Sequence, residues 1–600
     1  MKVISTINLA APMMRTRQSS PLLGGLLGGL LVTAALAASH PAWAAADAGE
    51  FIRRYQDETA RRLAPRPSGA APLPPEAQSR SRQVAATSRE RIQVAAFEVT
   101  GVTRFTADEV AAVLQPFLGR ELDTEGLHRA ADALNARYRQ AGYFVARVFI
   151  PPQQVAGTLR LEVHEGVLDA NGAYVANRGQ RVDTKVVQGI LDAHLRPGEP
   201  LRRDSVERAL LLAEDLPGIT TASVLYPGER VGTARLRTTV TDLPLVSGNV
   251  DLDNFGSRST GQTRLGTTLY LNSPSRTGDQ AVARLVTSGE RSRYAYLTYL
   301  APVSPTGTRA GASLDHFSYD ADDIAGAGRS SGHASDFRLY LTHPVIRSRH
   351  GNLNLRADLS HLEVSDRNEL PVDAKRRIRS VAVSLQGDDD RGWGGTGLST
   401  FGASVTTGSV DVRGDAAYEA LDSSTARTAG GFTRANLQLS RLQHLGGHWE
   451  FLGRVGAQWA SANLDTSQKF YLGGGTSLPG YPLGEAGGDS GTDLHLEIRR
   501  DVLAPWSGTL HAGLFVEQGW VRNHKATWPG WQGATPGLDN HLSLKSVGLN
   551  VNATLGTAWV ARATLARQVG GNPMRQPATG AASDGRTSRT RAWFQAIHYF

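Results

Sequence analysis

Three short motifs in the chain carry residue types that could do chemistry. Gly488-Asp489-Ser490-Gly491 matches the string around a serine-protease nucleophile, which also needs a base and an orienting acid in contact. Asp388-Asp389-Asp390 offers the carboxylate oxygens that calcium prefers, and Arg413-Gly414-Asp415 matches an integrin-binding tripeptide. The first lies between a Gly-rich loop and a strand, the second in a turn and the third in a loop. Their positions therefore favour structural roles over catalysis, calcium binding or adhesion.

Other kinds of site are excluded by what the sequence lacks. None of the 600 residues is cysteine, which rules out disulfides, thiol catalysis and Cys-ligated metal centres. The 16 histidines form no H-E-x-x-H pattern, and there is no G-x-x-x-x-G-K-[ST] phosphate loop. The formal net charge of +8 is modest for a chain of this length. We expect no enzymatic activity, no metal, no cofactor and no nucleic-acid partner.

The first 44 residues have the pattern of a signal peptide. Basic residues precede the apolar run Leu22–Ala38, and Ala42-Trp43-Ala44 is a small-x-small cleavage site. A membrane-anchoring helix is the alternative. The run of 17 residues is at the lower limit for a membrane span, and it contains four glycines. Residues 1–44 are therefore predicted to be removed on secretion.

Two distinct segments follow the signal. Residues 45–63 could form a short amphipathic helix with Phe51, Ile52 and Tyr55 near one face. Residues 64–91 carry five prolines, a composition typical of an extended linker.

Residues 92–167 and 168–243 share one order of predicted elements: strand, helix, helix, strand, strand. In the first unit, Thr106 and Glu109 have the spacing of a capping box. In the second, Asp204 is predicted to cap a helix. Two adjacent units with the same element order indicate a tandem repeat of α+β domains.

Residues 244–600 alternate apolar and polar side chains with a period of two. Leu353, Leu355, Ala357 and Leu359 alternate with polar residues, as do Ala435, Leu437 and Leu439. This pattern fits a soluble β-sandwich or a membrane barrel with a wet interior.

The number of strands and the lengths of their connections distinguish the sandwich from the barrel. We count 16 candidate strands, and an even count is typical of bacterial outer-membrane barrels. Connections after strands 2, 4, 6, 10, 12 and 14 are expected to be short. Those after strands 5, 7, 9, 11, 13 and 15 are expected to be long. This alternation predicts a closed 16-stranded antiparallel transmembrane barrel that ends in an aromatic strand at Phe600.

Several motifs, at the right order and spacing, resemble one known family from residue 45 to the end. They are Tyr138-Arg139-Gln140-Ala141-Gly142-Tyr143, Pro151-Pro152-Gln153, Val163-His164-Glu165-Gly166, Leu216-Pro217-Gly218, Tyr226-Pro227-Gly228, Asp253-Asn254-Phe255-Gly256, Thr260-Gly261, Phe470-Tyr471-Leu472-Gly473-Gly474, Ser477-Leu478-Pro479-Gly480-Tyr481 and Gly488-Asp489-Ser490-Gly491. The chain thus resembles the two-partner secretion transporters of the Omp85 superfamily, which export haemolysins and filamentous haemagglutinins.

The resemblance implies a fold and a set of partners. Residues 92–167 and 168–243 would be periplasmic POTRA domains that bind an unfolded secreted partner protein (a haemolysin or adhesin). Residues 45–63 would be a plug helix inside an outer-membrane barrel, and residues 461–490 the sixth extracellular loop. Assembly into outer-membrane lipid would need periplasmic chaperones and the barrel assembly machinery, for which Phe600 ends the recognition signal. Because the sequence has no phosphate loop, we expect that no nucleotide drives export.

One position departs from the family pattern. The tip of the sixth loop usually reads Val-Arg-Gly-Tyr, with the arginine paired to an acidic residue on the inner wall. Here Pro479 replaces the arginine, which would leave Glu517 without its usual partner. Alternation turns Phe515, Glu517 and Gly519 inward. We therefore expect Arg499 to pair with Glu517 and the tip to be held by packing of Pro479 and Tyr481.

Three functions remain open at this point. The chain could export one large protein, insert other barrels as an assembly factor, or act as a passive porin or adhesin. Assembly factors usually carry more than two POTRA domains, and a porin has no need of two periplasmic repeats. The exporter is therefore favoured.

Overall fold

A computed structural model describes residues 47–63, 91–177, 179–289, 291–324, 328–368, 373–391, 395–414, 416–502, 504, 506–533 and 535–600. The predicted signal peptide, nearly all of the predicted linker, and Asp415 of the tripeptide lie outside these residues. The first described element is the helix α1 (Ala48–Leu63). No helix in the described ranges is long and apolar enough to cross a membrane.

The first repeat has the predicted element order. Its elements are β1 (Ile92–Gln93), β2 (Ala96–Thr100), α2 (Ala107–Leu114), β3 (Glu121–Leu122), α3 (Thr124–Gln140), β4 (Arg147–Phe149) and β5 (Thr158–His164). The sheet order is β2-β5-β4, with β2 parallel and β4 antiparallel to β5. The capping box of Thr106 and Glu109 is present at the start of α2. Leu134 and Leu161 are completely buried between the helices and the sheet.

The second repeat has the same order. It comprises β6 (Val167–Val175), α4 (Thr184–His194), α5 (Arg203–Glu214), β7 (Ile219–Pro227) and β8 (Thr233–Asp242), with sheet order β6-β8-β7. The predicted cap at Asp204 is wrong. The N-cap of α5 is Arg202, whose side chain makes no capping hydrogen bond, and Asp204 forms an ion pair with Arg202 at 2.8 Å.

Sixteen of the remaining strands close into one antiparallel barrel. The elements are β9 (Val246–Asp253), β10 (Arg264–Asn272), β11 (Gln280–Thr287), β12 (Ser292–Pro302), β13 (Arg309–Ala321), β14 (Ser330–Arg347), β15 (Gly351–Asn368), β16 (Asp373–Asp389), β17 (Gly397–Gly414), α6 (Ala416–Ser424), β18 (Gly430–Gly446), β19 (Trp449–Ala460), β20 (Phe470–Leu472), β21 (Ala486–Gly488), β22 (Ser490–Val502), β23 (Gly508–Arg522), β24 (His541–Leu555), β25 (Trp559–Val569) and β26 (Thr590–Tyr599). Strands β20 and β21 form a separate hairpin inside the connection between β19 and β22.

Closure of the barrel joins its last strand to its first. Strand β26 pairs with β9, and the backbones of Phe600 and Gly248 exchange hydrogen bonds of 2.9 and 3.0 Å. Apolar side chains such as Leu359 and Leu514 are 56% and 60% exposed on the outside, while Asp315 and Asp336 are 1% exposed inside. This distribution is that of a barrel with a lipid-facing exterior and a polar interior.

The connections alternate in length nearly as predicted. On the side of the two repeats they have two to seven residues, and on the far side the connection after β19 spans residues 461–489. The connection after the seventh barrel strand, β15, was expected to be long but spans only residues 369–372. The residues expected in that loop belong instead to β15 and β16, which continue as paired strands at the far end.

The second repeat is fastened to the near end of the barrel. Asp215, just after α5, forms an ion pair with Arg347 at 2.7 Å, and its carbonyl accepts a hydrogen bond from Arg309 at 2.6 Å. The Ser273 hydroxyl donates to the carbonyl of Pro217 at 2.8 Å. The Leu216-Pro217-Gly218 motif therefore lies at the junction of repeat and barrel.

Candidate functional site

The candidate functional site is the lumen of the barrel. On β23, the side chains that face this lumen are the ones predicted to do so. Phe515 and Glu517 are 3% and 8% exposed, and Gly519 is also buried, whereas Leu514 and Val516 are more than half exposed outside. A side chain at Gly519 would collide with Leu472 and Leu478, because its Cβ would lie 2.5 and 3.1 Å from their methyl carbons. Gly519 therefore leaves room for another segment to pack against the wall.

The partner of Glu517 is not the predicted one. His495, directly opposite on β22, places its Nδ1 2.6 Å from Glu517 Oε1 and its Nε2 3.1 Å from Glu497 Oε2. Ser546 donates a hydrogen bond to the other oxygen of Glu517 at 3.2 Å. The imidazole, which is 3% exposed, thus joins two buried carboxylates on the wall.

The expected pair of Arg499 and Glu517 is wrong because of the strand register. Arg499 lies opposite Gly513, four residues from the His495–Glu517 pair, which is roughly 13 Å along the strand. Its Nε binds Glu450 Oε2 at 2.7 Å instead. His444 binds the other oxygen of Glu450 at 2.9 Å, so this carboxylate is already satisfied. The ligand atoms of Glu450, Asp501 and His511 lie within 4.8 Å of one another, but these contacts compete with a metal there.

The sixth loop, residues 461–489, folds back against this wall. Its tip contains a left-handed residue, Leu478, with φ of 51°, and the amide of Ser477 donates to Gly474. Leu478 packs with Leu472, Val521 and Leu544 in one buried cluster. An apolar contact thus fixes the residue that precedes Pro479 in the loop tip.

Backbone hydrogen bonds fix the rest of the tip. Trp593 Nε1 donates to the carbonyl of Pro479 at 2.7 Å. The Tyr481 hydroxyl donates to the carbonyl of Lys545 at 3.1 Å, and Tyr481 is completely buried. A Cβ on Gly480 would lie 2.8 Å from Ser546 Cβ, so glycine allows the close approach to β24. Tyr481 therefore holds the loop tip through its buried ring and its hydroxyl, and the buried Pro479 does so through its carbonyl.

The base of the same loop is held by Asp489, which is completely buried. Its carboxylate accepts hydrogen bonds from the amides of Leu464 and Lys525 at 3.0 and 2.7 Å, and it pairs with Lys469 at 3.2 Å. A Cβ on Gly488 would lie 2.5 Å from the Arg522 carbonyl. The Gly-Asp-Ser-Gly string is thus explained by loop anchoring.

Helix α1 lies inside the barrel with its apolar face on the wall. Phe51 packs against Phe317 and Tyr319 with ring centroids 5.2 and 5.5 Å apart, and Tyr55 stacks on Tyr294 at 4.8 Å. Ile52 is completely buried in the same cluster. These wall residues come from β12 and β13. The helix therefore packs on an aromatic surface within an otherwise polar lumen.

Ionic contacts hold the two ends of the helix. Near its start, Asp47 binds Arg376 of β16 at 2.9 Å, and Arg376 also binds Asp366 of β15 and Asp465 of the sixth loop. Farther along, Glu58 binds Arg264 at 3.0 Å. Arg376 therefore connects three parts of the chain: helix, wall and loop.

In the first repeat the predicted motif residues organise one corner of the domain. The buried Tyr138 hydroxyl donates to Glu165 at 2.8 Å, and the Thr103 amide donates to the same oxygen at 2.7 Å. Gly142 ends α3 with φ of 90°. Tyr143 packs in the core of the first repeat, and the Gly142 carbonyl accepts a hydrogen bond from Arg203 of the second. These residues shape the first repeat and its junction with the second.

The Pro152-Gln153 part of the motif organises the segment before β5. The Gln153 amide donates to the Arg160 carbonyl at 2.7 Å and accepts from the Arg160 amide at 2.8 Å, which mimics a strand pairing. Pro152 is exposed.

The hydrogen bonds that the Glu165 carboxylate accepts should be lost at low pH. Burial raises the pKa of this carboxyl, but hydrogen bonds from Thr103, Tyr138 and Arg104 outweigh burial and hold the pKa below the ordinary 4.5. The stabilisation is therefore complete above about pH 4.5 and lost as the pH falls through the lower folded pKa. We expect amide exchange at Thr103 and Arg104, corrected for intrinsic rate, to accelerate in that range. A Glu165→Gln variant should show fast exchange that does not change with pH, and a wild-type profile in that variant would contradict the assignment.

Several contacts of the site were not predicted from the sequence. They are the contact of His495 with Glu517 and the ion pairs of Arg376 with Asp47, Asp366 and Asp465. Counting the β22–β23 register from the short turn between them would have aligned His495 with Glu517. No local pattern points to Arg376, because its acidic partners are distant in sequence.

Comparisons with known proteins agree with this architecture. A family model described as POTRA domain, ShlB-type, matches residues 92–166. A second, described as haemolysin secretion/activation protein ShlB/FhaC/HecB, matches residues 232–539.

Individual relatives share about a quarter of their residues with this chain but align over most of its length. The heme/hemopexin transporter protein HuxB of Haemophilus influenzae strain 86-028NP is 25% identical over 78% of this chain and 81% of its own length. The outer membrane transporter CdiB of Escherichia coli O6:K15:H31 is 26% identical over 71% of this chain and 72% of its own. The solved structure of CdiB from Escherichia coli superposes with a TM-score of 0.69 at 20% identity, covering 93% of this chain and all of that one. Since the second family model spans just over half of the residues, the chain belongs to the haemolysin secretion/activation protein family ShlB/FhaC/HecB, the outer-membrane two-partner secretion transporters of the Omp85 superfamily.

Proposed function

We propose that this protein exports one large partner protein of the haemolysin or adhesin type through its barrel lumen, without nucleotide hydrolysis. The observation that carries the proposal is a closed barrel whose polar bore is filled by α1 and the sixth loop, segments held only by non-covalent contacts. An extended client needs a wet passage for its amides, and a 16-stranded barrel provides one when its contents move aside. The energy for one-way transport comes from folding of the client outside the cell.

The two repeats would receive the client in the periplasm. The edge strands β2 and β7 have unpaired backbone groups on one side. Val224 and Tyr226 of β7 are 41% and 42% exposed. An unfolded segment could add to such an edge and place side chains on these apolar positions. Periplasmic chaperones and the barrel assembly machinery would act earlier, while this protein itself is inserted into lipid.

Gene deletion discriminates the proposal from its alternatives. Loss of a single secreted protein, restored by the intact gene, is the expected result. General failure of outer-membrane protein assembly would identify an assembly factor instead, and loss of small-solute uptake would identify a porin.

A cross-link across the barrel seam tests the route of the client. Leu252 and Ala596 lie opposite each other on β9 and β26, at a separation suited to a disulfide, and the chain has no other cysteine. Secretion by the Leu252→Cys/Ala596→Cys variant should stay at the wild-type level when the disulfide is formed, because the client passes through a closed barrel. Each single cysteine variant is the control. Secretion that stops on oxidation and returns with reductant would show that the seam must open.

A further inference from the structure

The outward face of β16 changes abruptly from cationic to apolar. Reading from the far end towards the repeats, its outward positions are Lys375, Arg377, Arg379, Val381, Val383 and Leu385. Val381 and Val383 are 46% and 49% exposed on the lipid side. Such a change marks the outer boundary of the membrane, where cationic side chains meet lipid headgroups. Arg379 is the cation next to the apolar band.

Below Arg379 the barrel surface has a shallow, open groove. The groove has a volume of about 510 Å³ and is lined by Phe337, Leu339, Leu359, His361, Arg379, Val381, Thr407 and Ser409 together with Ser360, Ser380 and Gly408. Large apolar side chains on β14 and β15 form one flank, and small side chains on β17 form the other. Phe337, Leu339 and Leu359 are 47% to 56% exposed in it. An elongated apolar ligand would fit along this surface.

No protein group neutralises the cation at the top of the groove. Within the described ranges, the Arg379 guanidinium has no hydrogen-bond acceptor and no carboxylate oxygen within 4.0 Å, while the neighbouring Arg377 binds Glu363 at 2.8 Å. Directly opposite Arg379 are His361 on β15 and Ser409 on β17. His361 contacts Glu363 at 3.4 Å, so the carboxylate of Glu363 is shared by His361 and Arg377. An arginine without a protein partner at this boundary is free to bind an anionic headgroup.

We propose that this groove is a binding site for a phosphate-bearing lipid of the outer leaflet. The phosphate pairs with the Arg379 guanidinium, which presents two parallel donors suited to it, and His361 lies beside it. One acyl chain follows the groove over Leu339, Leu359 and Val381. A lipid is the occupant because the apolar part of the groove faces the membrane, where a soluble anion or an acidic peptide does not reach.

Titration with diphosphoryl lipid A tests the proposal. The full-length protein is freed of lipid in a non-ionic detergent, and bound lipid is counted by native mass spectrometry. We expect saturable binding at one site, weakened about tenfold by Arg379→Gln or by removal of the lipid phosphates. Filling the groove with Thr407→Trp should weaken binding while leaving the arginine in place.

The matched control is Arg567→Gln. Arg567 also faces outward at the far end of β25, next to the exposed Leu565, and is not among the residues that line this groove. Its loss should leave affinity within about twofold of the wild type. Equal losses in the Arg379 and Arg567 variants, or non-saturable uptake, would reduce the effect to general interfacial charge and overturn the site. Heat-modifiable migration in gels confirms that each variant barrel is folded.

Discussion

Replacing Phe51 and Tyr55 of α1 with alanine is expected to empty the lumen and raise the conductance of the protein in planar bilayers. Both rings are buried against aromatic wall residues, with centroid distances of 4.8 to 5.5 Å. Truncating a buried aromatic side chain costs about 3–5 kcal/mol. Each change should therefore shift the balance between seated and released helix by a factor of about 100 or more.

The control for this experiment is Asp57→Ala on the same helix. The side chain of Asp57 is 47% exposed, and within the described ranges its one ion pair is with Arg53 of the same helix, so its loss should change conductance far less than loss of the two rings. Single-channel recordings of the wild type, the Phe51/Tyr55 double variant and the Asp57 variant measure the difference in conductance. A double variant with the same low conductance as the Asp57 variant would show that α1 does not close the pore.

The second large effect is expected at His495. His495→Ala would leave two buried carboxylates, Glu497 and Glu517, facing each other without the group that joins them. Removal of one member of a buried ionic pair costs about 3–5 kcal/mol, because the remaining charge keeps its desolvation penalty. The free energy of unfolding, measured from tryptophan fluorescence in urea with lipid vesicles, should fall by that amount. Glu517→Gln added to His495→Ala should restore part of it.

A double-mutant cycle separates this pair from the one suggested by the sequence. His495 and Glu517 should show coupling of about 1–3 kcal/mol, since they are in direct contact. Arg499 binds Glu450 instead, so Arg499→Ala and Glu517→Gln should be additive. Stronger coupling of Glu517 to Arg499 than to His495 would contradict the observed register.

Sequence patterns predicted the elements of this fold more reliably than the contacts between them. The alternation along β15 and β18 depends only on neighbours in the chain, and so does the capping box at Thr106. Closure of an all-antiparallel barrel needs an even strand count and a final strand that pairs with the first, and the sequence supports both.

The contacts inside the lumen depend on register and on segments far apart in the chain. The choice of Arg499 for Glu517 was wrong by four residues because alternation identifies the face of a strand but not its offset from the next. The presence of Pro479 gave no sign that its carbonyl oxygen would accept a hydrogen bond from Trp593. Arg376 joins carboxylates contributed by three separate segments, which no periodicity reveals.

The docking of the second repeat sets a fixed geometry at the barrel entrance. Asp215 and Pro217 tie the start of β7 to the barrel turns, so this strand points away from the mouth along a constant direction. A segment that adds antiparallel to β7 must run towards the bore, and its leading end arrives there after about nine residues at 3.3 Å each. On the proposed function, a client segment bound in this orientation would enter the bore with one end first.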